Sequence, residues 1–207
     1  MIIGISGRMG SGKNTVGDII EKICLTNEGP LFEQKAFAGK LKQIGSILSG
    51  VPVEYFEDQD FKKLPMGIEW EMTYREFLQK LGTEAMRDGL HKEVWVNALF
   101  ADYKYYEKYN HAYTKDGVDY GNRTLHYPDW VITDMRFPNE IAAVELREGI
   151  TIRVNRDNGT REIDTNPHPS ETALDDAKFD YVIENDGTLD ELVEKVRAIL
   201  IREKIIS

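Results

Sequence analysis

The sequence predicts an α/β fold, a three-layer sandwich with a central parallel sheet of five strands covered by helices on both faces. Three observations predict it. Short β-branched apolar runs alternate with longer amphipathic stretches along the 207 residues. The apolar runs are continuous rather than alternating, as strands buried on both faces require. A glycine-rich turn follows the first run and opens the first amphipathic stretch.

The candidate strands are Ile2 to Ser6, Phe32 to Phe37, Trp130 to Thr133, Ile150 to Val154 and Tyr181 to Ile183. Helices are expected over about Lys13 to Cys24, Lys40 to Leu48, Tyr74 to Arg87, Lys92 to Tyr106, Asn139 to Arg147 and Leu189 to Arg202. The last is the clearest. Leu189, Leu192, Val193, Val196, Leu200 and Ile201 recur at helical spacing, opposite Asp190, Glu191, Glu194, Lys195 and Arg197. Asp186-Gly187-Thr188 supplies the turn and an N-cap before it. One segment departs from the rhythm: seven of the ten tyrosines fall between Tyr103 and Tyr127. Gly117, Gly121, His111, His126, Lys104, Lys108, Lys115 and Arg123 are mixed with them. This insertion, about residues 103–128, is too polar for core and too aromatic for a plain linker; a lid, a binding surface and a homodimer contact all fit.

No repeat, low-complexity tract or linker divides the chain, so a single domain over 1–207 is expected. With 26 Lys+Arg against 36 Asp+Glu the net charge is −10, which argues against a binder of nucleic acid polymers. Cys24 is the single cysteine, so no intramolecular disulfide forms and a cytoplasmic location is expected. The longest run free of Asp, Glu, Lys and Arg, Gln43 to Val53, is eleven residues. A membrane span needs about 20. Met-Ile-Ile-Gly-Ile-Ser at the start has no signal-peptide pattern.

Gly7-Arg8-Met9-Gly10-Ser11-Gly12-Lys13-Asn14-Thr15 lies between the first strand and first helix, the placement of a phosphate-binding loop. Its glycines let successive N–H groups turn toward a phosphate chain, and Lys13 reaches the β- and γ-phosphates. The usual Ser or Thr after the lysine is Asn14 here, with Thr15 next, so either Asn14 or Thr15 is the candidate for magnesium. No Asn-Lys-x-Asp guanine reader follows, and Trp130 to Asp134 ends in a single Asp rather than an acidic pair. A small-molecule kinase fits better than a GTP switch or a motor.

Three further segments carry candidate residues. Asp134-Met135-Arg136-Phe137-Pro138-Asn139-Glu140 falls at the carboxyl end of a strand, where ligands bind in open α/β sheets. Asp134 either holds magnesium-bound water or a substrate hydroxyl, or caps the turn; Arg136 either meets a phosphate or pairs with Glu140. In the segment from Arg75 to Arg87 and Trp95, the two arginines lie broadly on one helix face, yet both reach one phosphate only if the helix breaks near Gly82. Either arginine is equally a solvated charge. His168-Pro169-Ser170-Glu171-Thr172 reads as a helix start, with His168 and Glu171 equally able to touch a ligand.

These segments, with Phe37-Ala38-Gly39-Lys40-Leu41-Lys42, Leu81-Gly82-Thr83-Glu84 and Asn185-Asp186-Gly187-Thr188, resemble the bacteriophage deoxynucleoside monophosphate kinase family. The family typically has Asp where this chain has Asn14. The resemblance implies a P-loop kinase of the adenylate-kinase-like class, which moves the γ-phosphoryl of ATP onto a deoxynucleoside monophosphate with Mg²⁺. It implies Lys13 and Arg136 as catalytic residues. ATP would be held by Gly7, Arg8, Gly10, Ser11, Gly12, Lys13, Asn14 and Thr15, with Asp186 and Gly187 toward its adenine. The acceptor would be held by Phe37, Lys42, Arg75, Arg87, Trp95, Asp134, Arg136, Asn139, Glu140, His168 and Glu171. Asn14 and Asp134 would serve the metal. The partners implied are small nucleotides, with no polymer and no membrane, in the host cytoplasm if phage-encoded. The rivals are a kinase of the dephospho-coenzyme A or phosphomevalonate type and a non-enzymatic ATP-binding regulator.

Overall fold

The computed structural model describes residues 1–114, 117–156 and 168–207, and within 109–123 it describes the backbone alone. In chain order the first elements are β1 (Ile2–Ser6), α1 (Lys13–Thr26), β2 (Phe32–Lys35), α2 (Gly39–Ser49), α3 (Tyr74–Gln79) and α4 (Val94–Phe100). A hairpin of β3 (Tyr106–Thr114) and β4 (Gly117–His126) follows. The chain continues through β5 (Asp129–Met135), α5 (Pro138–Glu145), β6 (Ile150–Asn155), α6 (Pro169–Thr172), β7 (Tyr181–Glu184) and α7 (Leu189–Arg202). The sheet runs β2-β5-β1-β6-β7 with every pairing parallel.

All five expected strands are present, and their alternation separates two cores. Ile3, Ile5, Val131, Ile152, Val154 and Ile183 pack with Ile20 and Ile23 of α1 and Val196 and Leu200 of α7. Ile2, Trp130, Ile132 and Met135 pack with Phe37, Trp95, Leu99, Ile141 and Val144 in the second core. Helices therefore cover both faces, as the continuous apolar runs require. β2 stops at Lys35 rather than Phe37. The N–H groups of Phe37 and Ala38 donate to Asp134 Oδ1 at 2.8 Å and Oδ2 at 3.0 Å instead of extending the ladder.

The helices differ from expectation in two places. The helix does not break near Gly82, the condition under which Arg75 and Arg87 would reach one phosphate, but its winding changes. α3, opened by a Thr73–Glu76 capping box, continues beyond Gln79 as a wider π-type turn over Lys80–Asp88. The buried Trp95 indole N–H donates to Gly82 O at 2.8 Å and fixes this turn against α4. The helix expected over 92–106 is only Val94–Phe100, because the chain then closes in short turns. Tyr103 leaves the helical path to lie against Trp130, ring centroids 4.7 Å apart, and to stack on Tyr127 at 5.0 Å.

The Tyr-rich insertion is thus an antiparallel hairpin rooted in an aromatic cluster. The side chains of 109–123, on which its lid, binding-surface and homodimer readings rest, lie outside the described residues. Among the described residues no helix is long and apolar enough to cross a membrane.

α7 starts at Thr188, whose hydroxyl accepts from Glu191 N–H, as the turn sequence predicts. Its buried stripe is Leu192, Val196, Ile199 and Leu200. Leu189 and Ile201, expected in that stripe, stand 61% and 48% exposed at its margin. Leu200→Ala should therefore cost about 2–5 kcal/mol of stability through lost burial and the cavity left behind. Ile201→Ala should stay within about 0.5 kcal/mol. Urea unfolding of the two variants checks this, and equal midpoints would mean that the helix faces are misassigned.

Candidate active site

At its carboxyl end β1 gives way to the glycine loop, and β5 ends beside it at Asp134 and Met135. Between this edge, α2 and the 3₁₀ turns at Val53–Glu57 and Phe61–Lys63 lies a cleft of about 520 Å³. Gly12 takes φ +101, a conformation that L side chains rarely adopt, and a Cβ there would come 2.5 Å from Asn185 Nδ2. The buried Asn185 is a clamp. Its Nδ2 donates to Ser11 O at 2.8 Å while its own N–H bonds Asn155 O, so the end of β7 holds the loop in shape. α1 begins with no side-chain cap and no acidic residue in its first turn, which leaves its leading N–H groups to an anion.

Lys13 folds over the loop, donating to Gly7 O at 2.7 Å and Arg8 O at 2.9 Å. Burial, and then the nearby Arg136 guanidinium, push its ammonium down to about 8. A phosphate chain in the loop would reverse that shift by supplying the missing negative charge. Arg8, expected at ATP, turns away to Asp175 at 2.7 Å. Asp175 also holds Arg153, whose guanidinium bonds Ser6 Oγ, so one carboxylate ties the loop's outer side to β6.

Arg136 carries no side-chain bond to Glu140. Its guanidinium pairs with Glu171 at 2.6 Å and reaches Ser170 Oγ at 3.3 Å. His168 Nδ1 lies 2.9 Å from the same Ser170 hydroxyl and caps α6. Glu140 is buried and accepts the N–H groups of Arg136 at 2.6 Å and Phe137 at 3.1 Å. This carboxyl holds the Arg136 backbone, and burial pushes it up to about 8 against those two bonds. Asp134 caps a turn, though not its own: both its oxygens serve the β2–α2 junction.

On the opposite wall Lys42 pairs with Glu57 at 2.6 Å, and Arg75 reaches Gln59 at 3.1 Å and the loop's Met9 Sδ at 3.8 Å. Arg87 does not join Arg75. Twelve residues of helix rise roughly 18 Å, too far for one phosphate. Arg87 instead stacks on Phe137, 3.8 Å from the ring centroid, and bonds Asn139, which bonds Glu93.

Of the residues expected at the site, Gly10, Gly12, Lys13, Asn14, Thr15, Phe37, Lys42, Arg75, Trp95, Asp134, Arg136, Glu140, His168 and Glu171 share the cleft wall. Gly7 and Ser11 belong to the loop behind it; Arg87, Asn139, Asp186 and Gly187 lie outside that wall. Glu57, Gln59, Lys62 and Arg156 also line it without a sequence signal, and Ser170 does so from within the His168 to Thr172 segment. The clamp Asn185 was visible only as the first residue of the Asn185 to Thr188 motif.

A family model described as deoxynucleotide monophosphate kinase matches residues 32–196. The chain belongs to this family. The match begins beyond the phosphate loop, so the loop rests on its own geometry. A deoxynucleotide monophosphate kinase of Enterobacteria phage T4 is 30% identical over 130 residues, covering 63% of this chain and 46% of that protein. A protein of the same name from Escherichia phage RB69 is 29% identical over 126 residues, 61% of this chain and 44% of its own length. The chain thus spans about half the length of the curated relatives it matches. Among solved structures, a shikimate kinase from Aquifex aeolicus aligns over 99% of both chains at 15% identity with a TM-score of 0.44.

In this deoxynucleotide monophosphate kinase family member, Glu140 gives a stability signature. Its folded carboxyl titrates at about 8 and its ordinary value is 4.5. Between those values the folded chain keeps a proton that the unfolded chain has lost, so the group's contribution falls as pH rises through that window. The slope is at most about 1.4 kcal/mol per pH unit. Glu140→Gln should remove it and gain on the wild type between pH 5 and 8 in urea melts. Parallel pH curves for the two would contradict the buried carboxyl.

Proposed function

We propose that the chain transfers the γ-phosphoryl group of ATP to the 5′-phosphate of a deoxynucleoside monophosphate, giving the diphosphate and ADP. The observation that carries this reading is the position of Arg136 between two cationic walls. Its charge acts on Lys13 at the glycine loop and on Lys62 across the cleft. A group there faces both the phosphate chain of a donor and the phosphate of an acceptor.

Loop N–H groups and Lys13 hold the donor's β- and γ-phosphates. Asn14 and Asp134 both line the cleft, and each Asp134 oxygen accepts one N–H, which leaves lone pairs for a hydrated cation. The described residues hold no cluster of three or more metal-binding side chains. That suits Mg²⁺, which takes most of its ligands from phosphate and water. When bound, Mg²⁺ offsets charge on the transferred group. The acceptor oxygen is already ionised at neutral pH, so no general base is needed. Arg136 turns from Glu171 toward the phosphates, and catalysis is positioning plus charge stabilisation. The proposed substrates are freely diffusing nucleotides, which supports the expectation of a cytoplasmic enzyme.

A coupled assay of ADP release with each deoxynucleoside monophosphate should show release that depends on at least one of them. Release that depends instead on dephospho-coenzyme A or phosphomevalonate would change the substrate class, and tight ATP binding with no acceptor-dependent release would make the chain a regulator. Lys13→Ala should lower turnover on the order of 10²-fold or more. Arg136→Ala should lose turnover that saturating acceptor does not restore; a change in acceptor KM alone would reduce Arg136 to a binding role.

A further inference from the structure

The cations of the cleft are neutralised unequally. Lys42 has Glu57 at 2.6 Å, and Arg136 has Glu171 at 2.6 Å. Lys62 is half-buried in the wall, and its ammonium has no hydrogen-bond or ion-pair partner among the described residues. Arg75 touches only neutral groups there, Gln59 and Met9. Among the described residues neither of these two cations has an ion-pair partner, since Glu57, whose charge also reaches Lys62, is paired with Lys42.

Lys62 is also held in place. It sits in the 3₁₀ turn Phe61–Lys63, whose Phe61 ring lies 4.5 Å from that of Tyr74 and 5.0 Å from that of Tyr55. Asp58 Oδ1 accepts the N–H of Asp60 at 2.7 Å and organises the same turn. The turn therefore fixes the backbone from which the lysine side chain reaches the cleft.

We propose that Lys62, together with Arg75, docks the 5′-phosphate of the acceptor nucleotide. Resting on the phosphotransfer reading for the identity of the acceptor, this assigns the first contact to Lys62 and Arg75, and Arg136 engages the same phosphate afterwards on leaving Glu171. A phosphate dianion matches in charge two cations that have no ion-pair partner among the described residues, and the Arg75 contact with Met9 keeps that phosphate beside the glycine loop. Burial, then Lys42 and Arg75, push the Lys62 ammonium down to about 8, the direction that a bound anion reverses.

Calorimetric titration without turnover tests this, using the four common deoxynucleoside monophosphates, the matching deoxynucleosides and ATP. Lys62→Met should weaken monophosphate binding at least about 10-fold, the loss of one charge-assisted contact, and leave nucleoside and ATP affinity within about 2-fold. Lys62→Arg should restore most of it. Lys63→Met, the same charge change on a neighbour paired with Asp60 in solvent, should alter neither. Unchanged monophosphate affinity in a Lys62→Met protein with a wild-type melt, or an equal loss for ATP, overturns the proposal. If Lys62→Met does not fold, Lys62→Gln gives the same readout. Lys62-dependent binding in a wild type that releases no ADP sinks the kinase reading and leaves the docking site standing. Turnover with Lys62-independent binding does the reverse, and a wild type that binds no monophosphate sinks both.

Discussion

Lys13, Lys42, Lys62, Arg75, Arg136 and Arg156 line one cleft of about 520 Å³, and repulsion among them is the force that the surrounding structure has to offset. Two like charges 4 Å apart cost about 4 kcal/mol at the effective dielectric near a protein surface. The carboxylates that answer them come from distant parts of the chain: Glu57 from the turn after α2, Glu171 from α6, Asp134 from β5. Their convergence depends on a parallel sheet, which delivers every strand's carboxyl end, with its following loop, to one edge. The net charge of −10 is therefore only partly a solvated shell. Asp175, for instance, is the shared counter-charge of Arg8 and Arg153.

The same edge must satisfy backbone groups where strands stop and loops begin. Three side chains do this from inside the protein. Asn185 bonds the carbonyl of Ser11, Asp134 accepts two N–H groups at the start of α2, and Glu140 accepts two at the start of α5. Each joins segments far apart in sequence or fixes a turn that carries a cleft residue. Asp134 joins β5 to the Phe37 segment, and Glu140 sets the backbone from which the Arg136 side chain departs. The wall is thus rigid through polar bonds, and the apolar cores only support it from beneath.

Much of this architecture was legible in the sequence because it is written locally. Strand runs, the glycine loop and the Asp186-Gly187-Thr188 start of α7 depend on neighbours within a few residues, and the structure contains all of them. What was illegible depends on tertiary partners. The carboxyl of Glu140, at the third position of α5, turns back to its own helix start in a local capping pattern, but nothing nearby says that Arg136 looks to Glu171, 35 residues on. Lys62 lies in a segment with no helical or strand period, so nothing marks it until Phe61 is seen packed on Tyr74. The wide turn at Lys80–Asp88 escaped because helix propensity does not distinguish π from α winding. Its carbonyl partner, Trp95, is thirteen residues away.

The carboxyl groups of the site separate into two kinds by what they bind. Asp134 and Glu140 hold backbone N–H groups, and removing either from its bonds would leave buried donors unsatisfied at about 1–3 kcal/mol each. They cannot serve as exchangeable counter-ions. Glu171 and Glu57 bind cationic side chains at positions 31% and 66% exposed, where an ion pair is worth about 0–1 kcal/mol. An incoming phosphate, carrying more charge than one carboxylate and able to meet a guanidinium through two oxygens, displaces such a partner at little cost. On the proposed reading Glu171, 31% exposed, is released to water, so the exchange at Arg136 needs no rearrangement of the sheet. Fixed carboxyls set the geometry of the cleft, and on the proposed reading the exchangeable ones hold Lys42 and Arg136 until substrate phosphates take their place.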